Sequence, residues 1–384
     1  MQQNYDFYFR RQFRFLINIF IKFIFFIINF IILIINSLKI LDSEIIIVQN
    51  VRIGFGNIFT SIDLSRKIFG NKKILFISFY DSSRHHNKKI YEFLNEKKLI
   101  FYTSFYLKFR KSRFGEYENP KIDENILQKF LIQIINYLKN KNCKVLNIPE
   151  LYYLAAKKAK KLKYKKYNFL SLDHLWLTYY YYLIDKDNTL KINKKNKIIN
   201  NLTKNASKSI CFYKREKGVI NKVTKNYDLF FKLIKFFFKK KYKIYLTGEY
   251  SNLLKVFPQI KKFVELPEKK KRFDQNINLA MQLTSNYYIG DYGGGSYFAM
   301  FKKKSIILGN GLGNCFPNHV KTFNYKYYYK NINVETNKRF RRTVNNQIKN
   351  YKTPLDPYFA YKLGYKVKNF NHNLVLNYVK KNFQ

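Results

Sequence analysis

Short, fully apolar runs alternate along the first half of the chain with longer segments whose apolar residues recur at helical spacing. Three runs have the composition of strands: Glu44–Val51, Lys73–Phe79 and Lys144–Ile148. Four segments have helical spacing: Ile58–Ile68, Lys88–Leu94, Ile122–Leu138 and Leu151–Leu162. Apolar strands separated by helices are typical of a parallel sheet that is covered on both faces. The pattern therefore predicts an α/β fold.

A second alternating series follows a polar stretch rich in Lys and Asn at residues 185–205. Its predicted strands are Ser209–Tyr213, Tyr242–Leu246, Tyr287–Ile289 and Ser305–Leu308. Its predicted helices are Asn226–Lys239, Phe273–Thr284, Gly293–Phe301 and a closing helix at Asn373–Asn382. Two separate series predict two Rossmann-like domains, which we place at residues 41–200 and 201–384.

The N-terminus carries a hydrophobic segment at residues 15–35, preceded by Arg10, Arg11 and Arg14. As a helix it would be about 31 Å long, enough to cross a bilayer. A cleaved signal peptide is disfavoured, because no small-residue cleavage site follows. A spanning helix and an in-plane helix both stay open, and Lys22 favours the in-plane helix. We predict that residues 1–40 anchor the protein to a bacterial inner membrane, with the remainder on the cytoplasmic face.

The net charge of +49 comes from lysines scattered along the whole chain. No RRM, helix-turn-helix, zinc-finger or KH pattern accompanies the charge, so nucleic acid is not a predicted partner. An anionic membrane is a better match for it. The three cysteines, Cys143, Cys211 and Cys315, lack CxxC spacing. They are interpreted as reduced thiols, and no metal site is predicted.

Polar and glycine-rich residues cluster at the carboxyl ends of the predicted strands, where parallel sheets bind their ligands. These segments are Arg52–Asn57, Arg84–His86, Lys214–Glu216, Gly248–Glu249 and Asp291–Ser296. The repeated placement predicts that the functional site lies along this edge.

The segment Gly290–Ser296 has the sharpest chemical pattern. Glycines between a strand and a helix let backbone N–H groups approach a phosphate, and the helix N-terminus adds positive charge. Ser296 could cap the helix and donate to an oxygen. Lys214 and Arg215 could neutralise the same diphosphate. The alternatives are a tight turn that needs glycine, and a solvated basic pair.

The first half offers candidates for the second substrate. Arg52, Gly54, Gly56 and Asn57 form a truncated dinucleotide pattern, although two glycines after a strand can also serve helix packing. His85, His86 and Asp63 are candidate general bases for an acceptor hydroxyl, and the alternative for the histidines is an ordinary polar loop.

Three stretches carry a resemblance to a known family: VRIGFGN (51–57) with SRHHN (83–87), SICFYKREKG (209–218) with KIYLTGE (243–249), and SNYYIGDYGGGSYFAMFKKKSIILGN (285–310). Together they resemble a family of glycosyltransferase-like proteins from bacterial surface-polysaccharide gene clusters. The third stretch is also similar to the donor-site segment of heptosyltransferase-like enzymes.

The resemblance implies the GT-B architecture, in which two Rossmann-like domains with parallel sheets face a cleft. It implies a nucleotide-sugar donor in the C-terminal domain, an acceptor in the N-terminal domain, and a final helix that crosses back onto the first domain. It also implies catalysis without a metal or cofactor, because basic side chains and a helix N-terminus stabilise the leaving diphosphate.

The leading hypothesis is an inverting, metal-independent glycosyltransferase acting on a surface-polysaccharide or lipid-linked glycan acceptor. Its donor-binding residues would be Lys214, Arg215, Gly248, Glu249, Asp291, Gly293, Gly294, Gly295 and Ser296. Its acceptor side would include Arg52, Gly54, Gly56 and Asn57, with His86, His85 or Asp63 as the base. The alternatives are another transferase or an epimerase on the same scaffold, such as polysaccharide pyruvyl transfer, and a non-catalytic membrane-tethered scaffold.

Overall fold

The computed structural model describes residues 27–36, 38–49, 55–80, 89–95, 97–106, 143–161, 175–204, 208–216, 226–309, 319–324, 326–328 and 366–383, and the single residues 17, 20, 23, 24, 133, 137, 316 and 317. The chain divides into two compact units. The first unit comprises residues 1–53, 61–91 and 97–151, and the second comprises residues 54–60, 92–96 and 152–384. Residues 152–200 thus belong to the second unit, whereas the predicted domain limits at 41–200 and 201–384 stay a prediction.

The first unit contains a four-stranded parallel sheet with the order β3-β2-β1-β4. Its strands are β1 (Ile45–Gln49), β2 (Ile74–Tyr80), β3 (Ile100–Tyr106) and β4 (Lys144–Asn147). Helices α1 (Phe55–Phe69) and α2 (Lys89–Leu94) lie between these strands, and α3 (Ile148–Lys161) follows β4; each contributes residues to both units. The predicted α/β pattern is confirmed here, although β3 was not predicted.

A reciprocal pair of hydrogen bonds begins α3. The Asn147 side-chain oxygen accepts the Glu150 N–H at 2.8 Å, and the Glu150 carboxylate accepts the Asn147 N–H at 2.7 Å. This capping box satisfies N–H groups that the first turn of a helix leaves without intrahelical partners.

The second unit is built on a five-stranded parallel sheet with the order β11-β10-β9-β5-β6. The strands are β5 (Ser209–Lys214), β6 (Lys243–Gly248), β9 (Tyr287–Asp291), β10 (Lys304–Leu308) and β11 (Val320–Phe323). Two small antiparallel pairs join β7 (Glu268–Lys269) to β8 (Arg272–Phe273) and β12 (Lys326–Tyr328) to β13 (Lys366–Lys368).

Helices of the second unit follow the predicted series in most places. The α-helices are α4 (Leu175–Lys186), α5 (Lys197–Thr203), α6 (Tyr227–Lys239), α7 (Ser251–Val256), α8 (Gln275–Thr284) and α9 (His372–Asn382). Short 3₁₀ helices occupy Pro258–Lys262 and Gly294–Phe301. The segment predicted as a helix from Gly293 is therefore a 3₁₀ helix. The predicted helix at Ile122–Leu138 lies largely outside the described residues.

The last helix packs inside the second unit. Val375 and Val379 of α9 belong to the same buried cluster as Leu233 and Phe237 of α6, and Phe383 packs edge-to-face on Phe237. The family resemblance implied that the final helix would cross back onto the first domain. The apolar face of α9 instead completes the core of the second unit, because its valines recur at the spacing of one helix face.

At the N-terminus, residues 27–36 and 38–41 are helical. Among the helices of the described residues, none is long and apolar enough to cross a bilayer. The anchor at residues 1–40 stays a prediction.

Candidate functional site

The strand order of the second unit creates a crevice between β5 and β9. The chain passes from β5 to its neighbour β6 on one side, and then returns to place β9 on the other side of β5. Open parallel sheets bind ligands at such a reversal, beyond the carboxyl ends of the strands. Lys214 and Arg215 lie at the end of β5, and Asp291 is the last residue of β9. The predicted donor residues are thus brought to the crevice.

Lys214 and Asp291 form a buried ion pair at this point, with 2.5 Å between the Lys214 Nζ and Asp291 Oδ2 atoms. Asn226 closes a triangle with them. Its side-chain oxygen accepts from the Lys214 ammonium at 2.8 Å, and its amide nitrogen donates to Asp291 Oδ1 at 3.0 Å. All three residues are 2% exposed or less. Each charge therefore has both a counter-charge and a hydrogen-bond partner, as buried charges require.

The same carboxylate positions Arg215. Asp291 Oδ2 accepts the backbone N–H of Arg215 at 3.0 Å, and the Arg215 guanidinium lies 3.4 Å from the Tyr292 carbonyl oxygen. Lys214 was predicted to neutralise a diphosphate directly, but its ammonium is enclosed by Asp291 and Asn226. In this structure Lys214 binds Asp291, which in turn binds the Arg215 backbone. Arg215 is the half-buried cation at the edge of the crevice.

Two of the three consecutive glycines, Gly293 and Gly295, fit closely against two side chains. A Cβ atom on Gly293 would lie 3.1 Å from Arg215 Cδ, and one on Gly295 would lie 2.5 Å from the Tyr213 ring. Partial burial raises the pKa of the Tyr213 phenol, and the nearby Arg215 guanidinium and Gly295 backbone N–H oppose that shift. These two glycines thus pack closely and bring the turn close to Arg215. The alternative of a tight turn that needs left-handed glycine angles does not describe them, since neither is among the glycines with such a φ.

Ser296 lies in the first turn of the 3₁₀ helix rather than at its cap. Its hydroxyl donates to the Gly293 carbonyl at 2.6 Å and accepts the Gly293 N–H at 3.4 Å. A serine hydroxyl has a single hydrogen to donate. Ser296 therefore holds the glycine turn in place in this structure, and does not present its hydrogen to a ligand.

Gly56 brings a second helix to the same place. A Cβ atom on Gly56 would lie 3.1 Å from Gly294 Cα and 2.7 Å from the Tyr297 ring. The first turn of α1 therefore meets the first turn of the 3₁₀ helix, and Phe59 of α1 packs on Phe298 with ring centroids 4.5 Å apart. Neither first turn contains an acidic residue. Two helix N-termini, each with a partial positive charge, therefore converge here.

Gly248 and Glu249 lie at the end of β6, the third strand of this edge. Gly248 has a φ of +83°, and a Cβ atom there would lie 2.3 Å from the Lys214 carbonyl oxygen. Its N–H donates to the Asn278 side chain at 2.9 Å, while the N–H of Glu249 donates to the Lys214 carbonyl at 2.7 Å. A glycine is required at 248, since both the backbone conformation and the available space exclude a side chain.

Glu216 binds the N-terminus of α7 from the end of β5. Its two carboxylate oxygens accept the N–H groups of Asn252 and Leu253, each at 2.7 Å, and the hydroxyl of Ser251 at 3.2 Å. This carboxylate links the β5 end to the segment after β6.

Several predicted residues lie elsewhere. Arg52, Gly54, His85 and His86 lie outside the described residues. Asn57 lies in the first turn of α1, and Asp63 lies buried further along the same helix, in the first unit. The general base and most of the acceptor side therefore stay predictions. Among the described residues, no group of three His, Cys, Asp or Glu side chains could hold a metal ion.

Sequence reasoning missed three residues of this edge: Tyr213, Asn226 and Asn278. Asn226 directly precedes α6, where an Asn normally caps a helix. Its side chain makes no capping hydrogen bond and binds Lys214 and Asp291 instead. A position that suits local capping thus concealed a contact with residues distant in the chain.

No protein-family model and no curated protein match the chain. Solved structures to which the chain is similar include a glycosyl transferase family 9 protein from Veillonella parvula, with 13% identity, a TM-score of 0.44, and coverage of 89% of this chain and 97% of that chain. The E. coli ADP-heptose lps heptosyltransferase II has 9% identity, a TM-score of 0.42, and coverage of 80% and 99%. The Neisseria meningitidis UDP-GlcNAc 2-epimerase, bound to UDP-GlcNAc, has 12% identity, a TM-score of 0.35, and coverage of 88% and 100%. Similarities of this size do not identify an activity.

Proposed function

We propose that this chain is a glycosyltransferase that uses a nucleotide-sugar donor, and that the donor diphosphate binds beside Arg215 where the glycine turn meets α1. The observation that carries the proposal is the close approach of Gly56 to Gly294, since it brings two helix N-termini together. The resemblance of residues 285–310 to a heptosyltransferase donor segment supports the same assignment.

The charges at this place suit a leaving diphosphate. Each helix N-terminus carries a partial positive charge, and Arg215 adds a full one with several donors in a fixed plane. Hydrogen-bond donors that are already in position stabilise the negative charge that develops on the diphosphate as its bond to the sugar breaks. These groups would act without a metal ion, and we propose an inverting reaction, in which the acceptor hydroxyl attacks the sugar directly.

The buried ion pair holds this arrangement in place. Asp291 binds the Arg215 backbone, and Lys214 and Asn226 fix Asp291 in turn. Lys214 and Asp291 are therefore proposed as positioning residues for Arg215. Gly248, Glu249 and Ser296 are proposed to shape the same edge.

The acceptor is proposed to be a surface-polysaccharide or lipid-linked glycan, with Arg52, Gly54 and Asn57 on its side of the site and His86, His85 or Asp63 as the base. Attachment to the cytoplasmic face of a bacterial inner membrane through residues 1–40 belongs to the same proposal. The sequence supports it through the apolar run at 15–35 and the basic residues before it.

Nucleotide binding tests the donor site most directly. We expect one or more nucleoside diphosphates to raise the melting temperature of the detergent-solubilised full-length protein. Arg215→Ala should weaken that binding by about 10- to 100-fold, because a charge-assisted contact is lost. Arg272→Ala is the matched control, since Arg272 is an exposed arginine on β8.

The absence of stabilisation by every nucleoside diphosphate would contradict the donor site. A measurement of nucleotide release then separates the activities. Release that requires an added glycan acceptor supports transfer, whereas conversion of the nucleotide-sugar without an acceptor supports an epimerase on the same site.

A further inference from the structure

The N-terminal helix, residues 27–36 and 38–41, buries two asparagines together with Ile40 and exposes most of its other apolar residues. Its polar residues Asn29 and Asn36 are buried, at 1% and 9% exposure, and Ser43 continues the same stripe. Soluble helices bury the apolar stripe and expose the polar one. The exposed apolar residues of this helix call for an apolar environment outside it.

The outward side of this helix is a continuous apolar surface, which we call the outer face. It consists of Ile27, Ile28, Phe30, Ile31, Ile34, Ile35, Leu38 and Leu41, and these residues are 37% to 77% exposed. At 3.6 residues per turn they fall within about 160° of the helix circumference. Scattered exposed apolar residues are ordinary on a protein surface, but a contiguous patch of this kind marks an interaction site.

The buried stripe is held by local bonds as well as by burial. The Asn36 amide donates to the Ile32 carbonyl at 2.7 Å, and the Lys39 ammonium donates to the Asn36 side-chain oxygen at 2.9 Å. Lys39 therefore stands at the border of the outer face with its charge tethered beside it. A basic residue at such a border is placed to reach lipid head groups while the apolar side chains insert below them.

The basic residues near the outer face favour an anionic bilayer as its partner. The chain from residue 1 to residue 41 contains the basic residues Arg10, Arg11, Arg14, Lys22 and Lys39, against Asp6 as its one acid. The whole chain has a net charge of +49. Anionic head groups attract basic residues near the surface, and the hydrocarbon below them accepts an apolar face. A bilayer with anionic lipid matches both properties.

We infer that the outer face docks in the plane of an anionic bilayer, with the Asn29–Asn36 stripe turned away from the lipid. This inference rests on the membrane attachment included in the proposed function and specifies which surface makes it. A helix lying in the plane has one face in lipid along its whole length, as this helix has one apolar face along residues 27–41.

Vesicle flotation of the full-length protein tests the docking face. Wild type should float with vesicles of phosphatidylcholine and phosphatidylglycerol, and Ile31→Asn/Ile35→Asn should bind at least about 10-fold more weakly, because two apolar side chains leave the lipid. The matched control is Val256→Asn/Leu374→Asn, since these residues are 54% and 59% exposed elsewhere on the surface. The control should float as wild type does.

Equal flotation of wild type and Ile31→Asn/Ile35→Asn would overturn the inference. A wild-type dimer that the same variant dissociates, without flotation of either protein, would also overturn it and assign the face to a second copy of the chain. Nucleotide binding by Ile31→Asn/Ile35→Asn should equal that of wild type. Failure of the membrane inference can then be distinguished from failure of the proposed donor site.

Depth measurements test the in-plane orientation. Ile27→Trp and Leu41→Trp place a fluorophore near each end of the outer face, and brominated lipids quench it according to depth. Wild type, with its buried Trp176, supplies the background. In-plane docking predicts equal depths at the two positions. A difference approaching about 21 Å, the length of helix between them, would show a spanning helix and overturn the inference.

Discussion

Two buried lysines at opposite edges of the second unit's sheet differ in what surrounds their charge. Lys214, at the carboxyl end of β5, binds the Asp291 carboxylate and the Asn226 side chain. Lys302, two residues before β10 at the amino edge, donates to the Leu283 carbonyl at 2.8 Å. Burial lowers the pKa of Lys302 to about 7. The same residue type is thus buried once beside a carboxylate and once beside a neutral acceptor.

The comparison shows that burial alone does not decide what a lysine contributes. A carboxylate beside a buried ammonium offsets much of the cost of removing both charges from water. A neutral carbonyl offsets less of that cost, so burial there disfavours the charged form of the lysine. The carboxyl edge of the sheet has the paired lysine. The opposite edge has the lysine that the fold favours in its neutral form.

Lys214→Met should produce the largest effect. It leaves the Asp291 carboxylate buried without its counter-charge, and such a loss costs about 3–5 kcal/mol. Urea denaturation would measure the free energy of unfolding, with Lys303→Met, an exposed neighbour of Lys302, as the control. A loss below about 1 kcal/mol would show that Asp291 does not depend on Lys214.

The same substitution at Lys302 should have the opposite sign. Lys302→Met removes an ammonium that the interior disfavours, so at pH 6 the variant should be more stable than wild type by roughly 1–3 kcal/mol. Destabilisation at pH 6 would show that the bond to the Leu283 carbonyl outweighs the cost of burial.

The lowered pKa of Lys302 also predicts how the free energy of unfolding depends on pH. Its pKa of about 7 in the folded protein lies below the usual lysine value of 10.5, so between these values the unfolded chain binds more protons. Stability should therefore rise with pH from 7, by at most about 1.4 kcal/mol per unit. Above pH 9 the slope should weaken, because burial raises the pKa of Cys211 to about 12 and the unfolded thiol loses its proton first. Lys302→Met should flatten the rise between pH 7 and 9, as followed by urea denaturation in a pH series.

Substitutions at Gly293 and Gly295 should have smaller effects on stability than the lysine substitutions, and the two should differ from each other. Gly295→Ala places a methyl group 2.5 Å from the partly buried Tyr213 ring, which should cost about 1–3 kcal/mol. Gly293→Ala meets the flexible Arg215 side chain at 3.1 Å, so it should cost less than about 1 kcal/mol and act mainly on nucleotide binding. Similar losses in the melting temperature of both variants would contradict this distinction.

The smallest expected effect is at Glu216. Glu216→Ala removes the carboxylate that binds the first turn of α7, and loss of such a cap costs about 1 kcal/mol. The melting temperature should fall slightly. Glu268→Ala is a suitable control, since Glu268 is an exposed glutamate on β7.

Much of the fold could be predicted from local pattern. The strands β5, β9 and β10 and the helices α6 and α8 lie within a few residues of their predicted limits, because fully apolar runs and helical spacing are local properties. Strand β3 was not predicted, because its run FYTSFY mixes aromatic and hydroxyl side chains. The 3₁₀ form of Gly294–Phe301 was also missed, because glycine spacing does not distinguish it from an α-helix.

The sequence by itself determined that Lys214, Arg215, Gly248, Asp291 and Gly293 would share one edge, because parallel strands all end on the same side of their sheet. Only the tertiary structure decided that Lys214 is enclosed by Asp291 and Asn226 while Arg215 remains at the edge, since those partners are distant in the chain. It likewise decided that Asn29 and Asn36 are buried beneath an exposed apolar face. Burial depends on what the rest of the chain covers, and no local pattern specifies that.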